Sequence, residues 1–311
     1  MPDLKLCTNT DYKYSCLTWQ TNTAVYIKSE KGYDNMAIIK TAILQTHVYM
    51  EKSRNINRAA EILASPELKD IDLAVLPEMF CCPYENKYFP EYAEPEGGDT
   101  WEKCSRLAAK HGIYLIAGSI PEQDEDGHIY NTSYVFDRKG YQIGKHRKMH
   151  LFDIDVKGGQ YFKESETLTP GNQVTVFDTE FGRIGLCICY DFRFPELARL
   201  MADQGAEVII VPAAFNMTTG PLHWELMFRQ RAVDNQVYTI GAAPARDMNA
   251  GYHSWGHSIA ADPWGKVLMQ MDEKPEVQVV ELDLDEVKKV REQLPLLKHR
   301  RGDIYKLSQI K

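Results

Sequence analysis

The sequence has no long apolar run and no excess of basic residues. A membrane-spanning helix needs about 18 to 20 consecutive, mostly apolar residues, and no segment of the chain approaches that length. The formal net charge is -8, which argues against a nucleic-acid or anionic-membrane partner. The start of the chain lacks an apolar h-region and carries several acids but no arginine, so we expect neither a secretory signal peptide nor a mitochondrial presequence.

Cysteine patterns of stapled or zinc-bound proteins are also missing. The chain has 7 cysteines, an odd number, and neither Cys81-Cys82 nor Cys187-x-Cys189 has the CxxC spacing of structural zinc sites. We therefore expect a reduced, cytoplasmic protein in which most thiols pack as small apolar side chains.

Apolar residues make up 44% of the 311 residues, enough for one large core. Strand-like runs alternate with amphipathic helices, without a repeat or a linker, which predicts an α/β fold with mixed sheets. We expect one domain over 36–311 and an extension over 1–35 with one or two strands in 12–28. The predicted strands are 37–44, 72–76, 113–120, 129–136, 142–150, 183–188, 207–212, 237–242, 259–262, 266–271 and 277–282; the predicted helices are 51–64, 100–110, 195–204, 223–235 and 283–294.

The segment 185–197 places a cysteine between a strand and a helix. Pro195 suits the first helical position and Gly205 suits a helix stop. Cys189 lies on the turn out of the strand, at the rim of a sheet and beside the positive end of a helix. We therefore expect its thiol to ionise more easily than that of a free cysteine.

Other charged residues lie at or near strand ends. Glu78 follows a predicted strand at its carboxyl end, where open α/β sheets place ligands, although position alone equally allows a turn carboxylate in water. The basic run 145–150 is typical of a solvated strand edge. His146 and His150 lie in it without an evident third ligand, so we do not expect a metal site. The loop over 151–172 is long enough to predict a functional role.

Three motifs in this order resemble the signatures of the nitrilase superfamily of carbon–nitrogen hydrolases: Pro77-Glu78, Arg147-Lys148-Met149-His150 and Cys189-Tyr190-Asp191-x-Arg193. The resemblance runs from about residue 37 to the end of the chain and is greatest to the ω-amidase branch. The segments that resemble this branch specifically are 151–156, 215–221, 223–226 and 231–237.

This resemblance implies a four-layer α-β-β-α sandwich with mixed sheets, which the alternation of elements matches but does not show by itself. It also implies a homodimer or a higher homo-oligomer. Neither a metal nor an organic cofactor is expected, because a thiol, an acid and a lysine suffice for the chemistry.

The same resemblance implies catalytic roles. Cys189 is the nucleophile, and Glu78 moves the proton between the thiol, the leaving ammonia and water. Lys148 stabilises the oxyanion together with the Tyr190 backbone N–H. Glu164 orients the lysine and the substrate.

The resemblance also implies the substrate. It is a small amide, a dicarboxylate monoamide such as 2-oxoglutaramate or succinamate. Arg193 would hold its distal carboxylate, Phe215 and Thr219 would line the pocket, and Tyr84 would cap it. From the residues alone, a charge on the helix surface is the other interpretation of Arg193. The alternatives are an amidase for deaminated glutathione, a carbamoyl amino acid or another linear amide, and an inactive scaffold. We interpret Cys187 as a packing residue.

Overall fold

A computed structural model describes residues 6–8, 15–18, 24–27, 38–155, 157 and 161–310. The chain divides into two units, Met1–Met36 and Ala37–Lys311. In the first unit, three antiparallel strands form one sheet, so strands are confirmed within 12–28: β1 (Leu6–Thr8), β2 (Ser15–Thr18) and β3 (Ala24–Ile27).

The second unit alternates strands and helices. Its strands are β4 (Ile38–Gln45), β5 (Leu73–Val75), β6 (Tyr114–Ile116), β7 (Ile120–Gln123), β8 (Ile129–Phe136), β9 (Gln142–Arg147), β10 (Asp153–Asp155), β11 (Tyr161–Lys163), β12 (Thr175–Asp178), β13 (Arg183–Leu186), β14 (Val208–Pro212), β15 (Tyr238–Ala242), β16 (Ile259–Ala261), β17 (Val267–Gln270) and β18 (Glu276–Asp283). Its α-helices are α1 (Lys52–Leu63), α2 (Phe89–Tyr92), α3 (Asp99–His111), α4 (Pro195–Asp203), α5 (Gly220–Asn235) and α6 (Leu284–Gln293). Among the described residues, no helix has the length and apolar character of a membrane span.

Two mixed sheets organise this unit. One has the order β18-β4-β5-β6-β8-β7 with β9 also paired to β8, and the other has the order β12-β13-β14-β15-β16-β17. Strands β4, β5 and β6 run parallel in the first sheet, as β13, β14 and β15 do in the second, and antiparallel strands flank both groups. The predicted mixture of strand directions is therefore confirmed.

Side chains along the parallel strands alternate between two apolar layers, as the period of a strand requires. Leu73 and Val75 of β5 lie in a core shared by the two sheets, whereas Ala74 packs in a second core with α1 and α3. In the other sheet, Val208 of β14 faces the shared core, and Ile209 packs in a third core with α4 and α5. The layers are thus helix, sheet, sheet and helix, which confirms the α-β-β-α sandwich.

The continuous strand predicted over 113–120 is wrong, because the chain turns at Gly118. This glycine has φ +53°, and a side chain there would meet the carbonyl oxygen of Pro77. The close approach lets the Ser119 hydroxyl accept a hydrogen bond from the Met79 backbone N–H at 2.9 Å. The break therefore supports the loop that carries Glu78.

The predicted loop over 151–172 contains regular structure. Its strands β10 and β11 form an antiparallel hairpin, and a short 3-10 turn, Glu164–Glu166, follows directly. The hairpin therefore delivers Glu164 to a defined place rather than leaving it on an irregular loop.

Candidate active site

Three charged or nucleophilic side chains meet where strands of the two sheets end. Glu78 follows β5, Lys148 follows β9, and Cys189 follows β13. All three side chains are buried, and the carboxyl ends of parallel strands are where open sheets bind ligands.

The carboxylate of Glu78 is held at both oxygens. Its Oε1 accepts hydrogen bonds from Lys148 Nζ at 3.0 Å and from Asn131 Nδ2 at 2.9 Å. Its Oε2 accepts one from the backbone N–H of Ala214 at 2.7 Å. Because the side chain is fully buried, the alternative of a turn carboxylate in water is wrong.

Lys148 bridges two carboxylates. Its Nζ lies 2.9 Å from Oε1 of Glu164 and 3.0 Å from Oε1 of Glu78, and it donates to the Tyr84 hydroxyl at 3.2 Å. The interpretation of the basic run as a solvated edge is wrong for Lys148 and for His146, which are both fully buried. Burial of Lys148 strengthens this network, because the attraction between the lysine and its carboxylate partners would be far weaker in water.

Glu164 and Tyr84 complete this network. The Tyr84 hydroxyl donates to Glu164 Oε1 at 2.6 Å and lies 3.3 Å from Glu78 Oε1. Glu164 Oε2 accepts a hydrogen bond from the Phe152 backbone N–H at 2.6 Å. The structure thus places the Tyr84 hydroxyl among the carboxylates, and its ring stacks on Phe162 with centroids 5.6 Å apart.

Cys189 begins a 3-10 turn, Cys189–Arg193, that joins β13 to α4. Its φ is +46°, an uncommon backbone conformation for a residue with a side chain, which costs roughly 1–3 kcal/mol and is frequent at functional sites. The Cys189 thiol lies close enough to the Glu78 carboxylate for each group to shift the pKa of the other. The geometry therefore pairs a thiol with a base, as nucleophilic catalysis requires.

Burial dominates the protonation of this group. It raises the pKa of Cys189 well above that of an ordinary thiol, the Glu78 charge adds to the rise, and Lys148 opposes it only in part. The expectation of an easily ionised thiol is therefore wrong. Burial also raises the pKa of Glu78, against the charge of Lys148. For Lys148 itself, burial alone would lower the pKa, but the charges of Glu164 and Glu78 outweigh it and hold the pKa above the usual range.

Asp191 is a buried residue to which the motifs assigned no role. Its Oδ1 accepts hydrogen bonds from the backbone N–H groups of Met149 and His150 at 3.1 and 2.8 Å. Its Oδ2 lies 2.9 Å from His146 Nε2 and accepts from the Ile188 N–H at 3.1 Å. Burial alone would raise the pKa of Asp191, but hydrogen bonds from both histidines lower it. This carboxylate ties the segment that carries the lysine to the turn that carries the thiol.

Arg193 lies at the edge of the site, half-buried. Its Nη1 is 3.0 Å from His223 Nδ1, and its guanidinium carbon is 4.5 Å from the centroid of the Phe215 ring. Burial lowers its pKa, and the charged groups that raise it do not include a carboxylate. The structure therefore brings Arg193 and Phe215 together.

The other predicted pocket residues have partners within the protein. The Thr219 hydroxyl donates to Asn216 Oδ1 at 2.9 Å. The Tyr190 ring packs edge-on against Phe152, with centroids 5.2 Å apart.

Cys187 is fully buried in the apolar cluster beneath α4 and α5, and burial raises its pKa well above that of an ordinary thiol, as expected of a packing residue.

Tyr252 belongs to the site but was missed from the sequence. Its hydroxyl donates to the Ala214 carbonyl oxygen at 2.5 Å, and its ring centroid is 4.7 Å from that of Tyr84. It lies in the loop after β15, far along the chain from every motif, so no local signal pointed to it.

Among the described residues, two groups outside this site have donor atoms within 4.8 Å of one another and could hold a metal ion: Asp124, Asp126 and His128, and His257, Asp272 and Glu273. Neither shares a residue with the group around Cys189.

A buried thiol, acid and lysine on an α-β-β-α sandwich define the class of protein as a nitrilase-superfamily hydrolase. The family model "Carbon-nitrogen hydrolase" matches residues 40–292, and the chain belongs to this family. It is therefore an amidase-type hydrolase.

Within this family, the chain is similar to proteins named ω-amidase. The chain is 47% identical over 276 residues to "Omega-amidase NIT2" of Xenopus tropicalis, covering 89% of this chain and 100% of that protein. It is 46% identical over 270 residues to "Omega-amidase NIT2" of Homo sapiens, covering 87% and 98%. Among solved structures, Nit3 of Saccharomyces cerevisiae has 44% identity and a TM-score of 0.79, with 85% of this chain and 97% of that chain covered.

Proposed function

We propose that this protein is an ω-amidase that hydrolyses a short dicarboxylate monoamide, such as 2-oxoglutaramate or succinamate, to the dicarboxylate and ammonia. The observation that carries this proposal is the half-buried guanidinium of Arg193, which has no ion pair with a carboxylate in the described part of the chain. A partly buried cation without a counter-ion is costly, and a substrate carboxylate would supply one. The similarity to two proteins named ω-amidase supports the same activity.

In the first half of the proposed reaction, Glu78 takes the proton of the Cys189 thiol as the sulfur attacks the amide carbon. A C–S bond forms, and the π electron pair of the carbonyl moves to its oxygen, next to Lys148 Nζ and the Tyr190 backbone N–H. The oxyanion then collapses, the C–N bond breaks, and Glu78 gives its proton to the departing ammonia. A thioester on Cys189 remains.

In the second half, Glu78 takes a proton from water as the water oxygen attacks the thioester carbon. The new oxyanion occupies the same place near Lys148. Its collapse breaks the C–S bond, releases the dicarboxylate, and returns the proton from Glu78 to the sulfur. The Glu164 carboxylate, 2.9 Å from Lys148 Nζ, keeps this cation charged and in position throughout.

Ammonia release from a panel of amides tests the proposal. The panel contains succinamate, 2-oxoglutaramate, deaminated glutathione, a carbamoyl amino acid and the neutral amide butyramide, with Cys189→Ala as the inactive control. We expect succinamate and 2-oxoglutaramate to have the highest kcat/KM. A preference for deaminated glutathione or the carbamoyl compound would make the alternative substrate correct, and no release from any amide would indicate a scaffold.

Arg193 variants test the carboxylate contact itself. Charge-assisted hydrogen bonds contribute about 1.5–3 kcal/mol, so Arg193→Ala should lower kcat/KM for succinamate by about 10- to 150-fold. Butyramide hydrolysis should change little, because that amide has no carboxylate. Arg183→Ala, which removes an exposed arginine paired with Asp178 at 2.9 Å, is the matched control. An equal loss for both amides would contradict the binding role.

We further propose that the protein forms a homodimer through α5. Leu222 and Leu226 stand one turn apart on this helix and are 71% and 62% exposed, and the helix packs against the turn of the nucleophile through Phe228 and Phe192, 4.8 Å apart. Covering two neighbouring leucines favours association. Light scattering should give a dimer mass, and Leu226→Arg should give a monomer.

A cytoplasmic location and the division into an extension over 1–35 and a hydrolase domain over 36–311 also remain proposals. The free thiols of Cys81, Cys82, Cys104, Cys187 and Cys189 fit a reducing compartment. The start of the family match at residue 40 supports the boundary. Cell fractionation and ammonia release by a 36–311 fragment test these two points.

A further inference from the structure

Both backbone polar groups of Ala214 are hydrogen-bonded to side chains, the N–H to Glu78 and the carbonyl oxygen to Tyr252. The N–H of Ala214 donates to Oε2 of Glu78 at 2.7 Å. Its carbonyl oxygen accepts a hydrogen bond from the Tyr252 hydroxyl at 2.5 Å. The tyrosine thus anchors the backbone donor of one carboxylate oxygen.

The ring of Tyr252 contacts Tyr84, whose hydroxyl lies near the other carboxylate oxygen of Glu78, Oε1. It lies 4.7 Å from the ring of Tyr84, between centroids, at an interplanar angle of 45°. The hydroxyl of Tyr84 lies 3.3 Å from Glu78 Oε1 and donates to Glu164 at 2.6 Å. Tyr252 therefore contacts a neighbour of each oxygen of the Glu78 carboxylate.

The loop that carries Tyr252 is fastened at both ends of this contact. The backbone N–H of Trp255 donates to the Phe215 carbonyl oxygen at 2.6 Å. On its other side, Gly251 lies against the Glu85 carboxylate. The tyrosine is therefore presented by a loop with a defined position rather than by a free turn.

We propose that Tyr252 is a positioning residue for Glu78, which it keeps aligned for proton transfer with the Cys189 thiol. This inference rests on the acid–base role of Glu78 in the proposed function. The charged and titratable groups that face Glu78 are Lys148, Glu164, Tyr84 and Cys189. The hydroxyl of Tyr252 is directed to Ala214 instead, so its removal acts on Glu78 through the backbone.

Tyr252→Phe tests the inference, because it retains the ring and removes only the hydroxyl. A loosened Ala214 N–H stabilises the carboxylate less, so the acid limb of kcat/KM should move to higher pH. One hydrogen bond contributes roughly 0.5–1.5 kcal/mol, which corresponds to a fall in kcat of about two- to tenfold. The KM for succinamate should change little. The matched control is Tyr114→Phe. Tyr114 begins β6, and its hydroxyl lies 3.0 Å from Glu180.

The pH dependence of Cys189 alkylation by iodoacetamide, located by peptide mapping, gives a second readout without turnover. It should shift in Tyr252→Phe and stay unchanged in Tyr114→Phe. If Tyr252→Phe behaves like Tyr114→Phe in both measurements while Glu78→Gln abolishes ammonia release, the positioning role is overturned and the proposed function stands. If Glu78→Gln retains the full rate, the acid–base role of Glu78 itself fails.

Discussion

Lys148 Nζ lies 3.0 Å from Glu78 Oε1, and neither side chain is exposed to solvent. In this dry environment, burial favours the neutral acid and the lysine charge favours the carboxylate, and burial has the larger effect on the pKa of Glu78. The pKa of Glu78 thus depends on two opposing effects, which suits the proposed role of this glutamate in taking up and releasing a proton in each turnover.

Removing the lysine should damage both activity and stability. Lys148→Met leaves Glu78 and Glu164 buried without their shared cation, and breaking a buried ion pair typically costs about 3–5 kcal/mol. If Lys148 stabilises the oxyanion as proposed, its loss should lower kcat by about 100- to 1,000-fold. Urea unfolding and succinamate kinetics measure the two effects.

The control for that change is Lys288→Met, which removes an exposed lysine paired with Asp285 at 2.7 Å. Exposed pairs contribute only about 0–1 kcal/mol, so stability and kcat should remain close to those of the unchanged protein. Equal effects of the two substitutions would contradict the special role of Lys148.

The two cysteines near the site should respond differently to substitution. Cys189→Ala should abolish ammonia release, since the thioester cannot form, whereas Cys187→Ala should retain most activity and lose some stability because it removes a buried side chain. Labelling with an electrophilic substrate analogue and peptide mapping should find Cys189. Label on Cys187 would show that Cys189 is not the nucleophile.

The pH dependence should have its acid limb above the usual range of a glutamate. In the proposed mechanism Glu78 must be ionised to take the thiol proton, and its pKa is raised, so kcat/KM should fall as pH decreases through this raised value. The limb should lie above about 4.3, the unperturbed value for a glutamate. A rate profile for succinamate from acid to neutral pH checks this, and full activity at pH 4 would exclude a raised Glu78 pKa as the controlling group.

Asp191→Asn should destabilise the fold in a pH-dependent way. The pKa of Asp191 is lowered in the folded protein, so its contribution is fully present above about 3.9, the ordinary value, and is lost as pH falls towards the lowered value. The free energy of unfolding of Asp191→Asn should therefore differ most from that of the unchanged protein near neutral pH.

Urea unfolding at pH 7 and pH 3 measures this difference, which should shrink at the lower pH. Asp178→Asn is the control, because this aspartate is exposed and paired only with Arg183 at 2.9 Å. A constant difference for Asp191→Asn at both values would mean that its charge does not contribute.

Much of the local structure followed from short windows of sequence. Pro195 begins α4, and Gly112 ends α3 with φ +64°. Proline fixes its own φ and glycine adopts positive φ without steric cost, so both act independently of distant residues. The break at Gly118 was missed, since its cause is the approach of Pro77, which is distant in sequence. Apolar runs predicted the strands, but only the packed sheets show which face of each strand meets the helices.

By itself, the sequence determined which chemistry was available: a glutamate, a lysine and a cysteine, each near the end of a predicted strand, in motifs with a known order. The tertiary structure decided their state. The turn at Cys189 suggested an activated thiol, yet the pKa of that thiol is raised, because desolvation depends on everything packed around a group and not on its own segment. Likewise, only folding brings Tyr252 to Ala214, and with it the anchor of the Glu78 carboxylate.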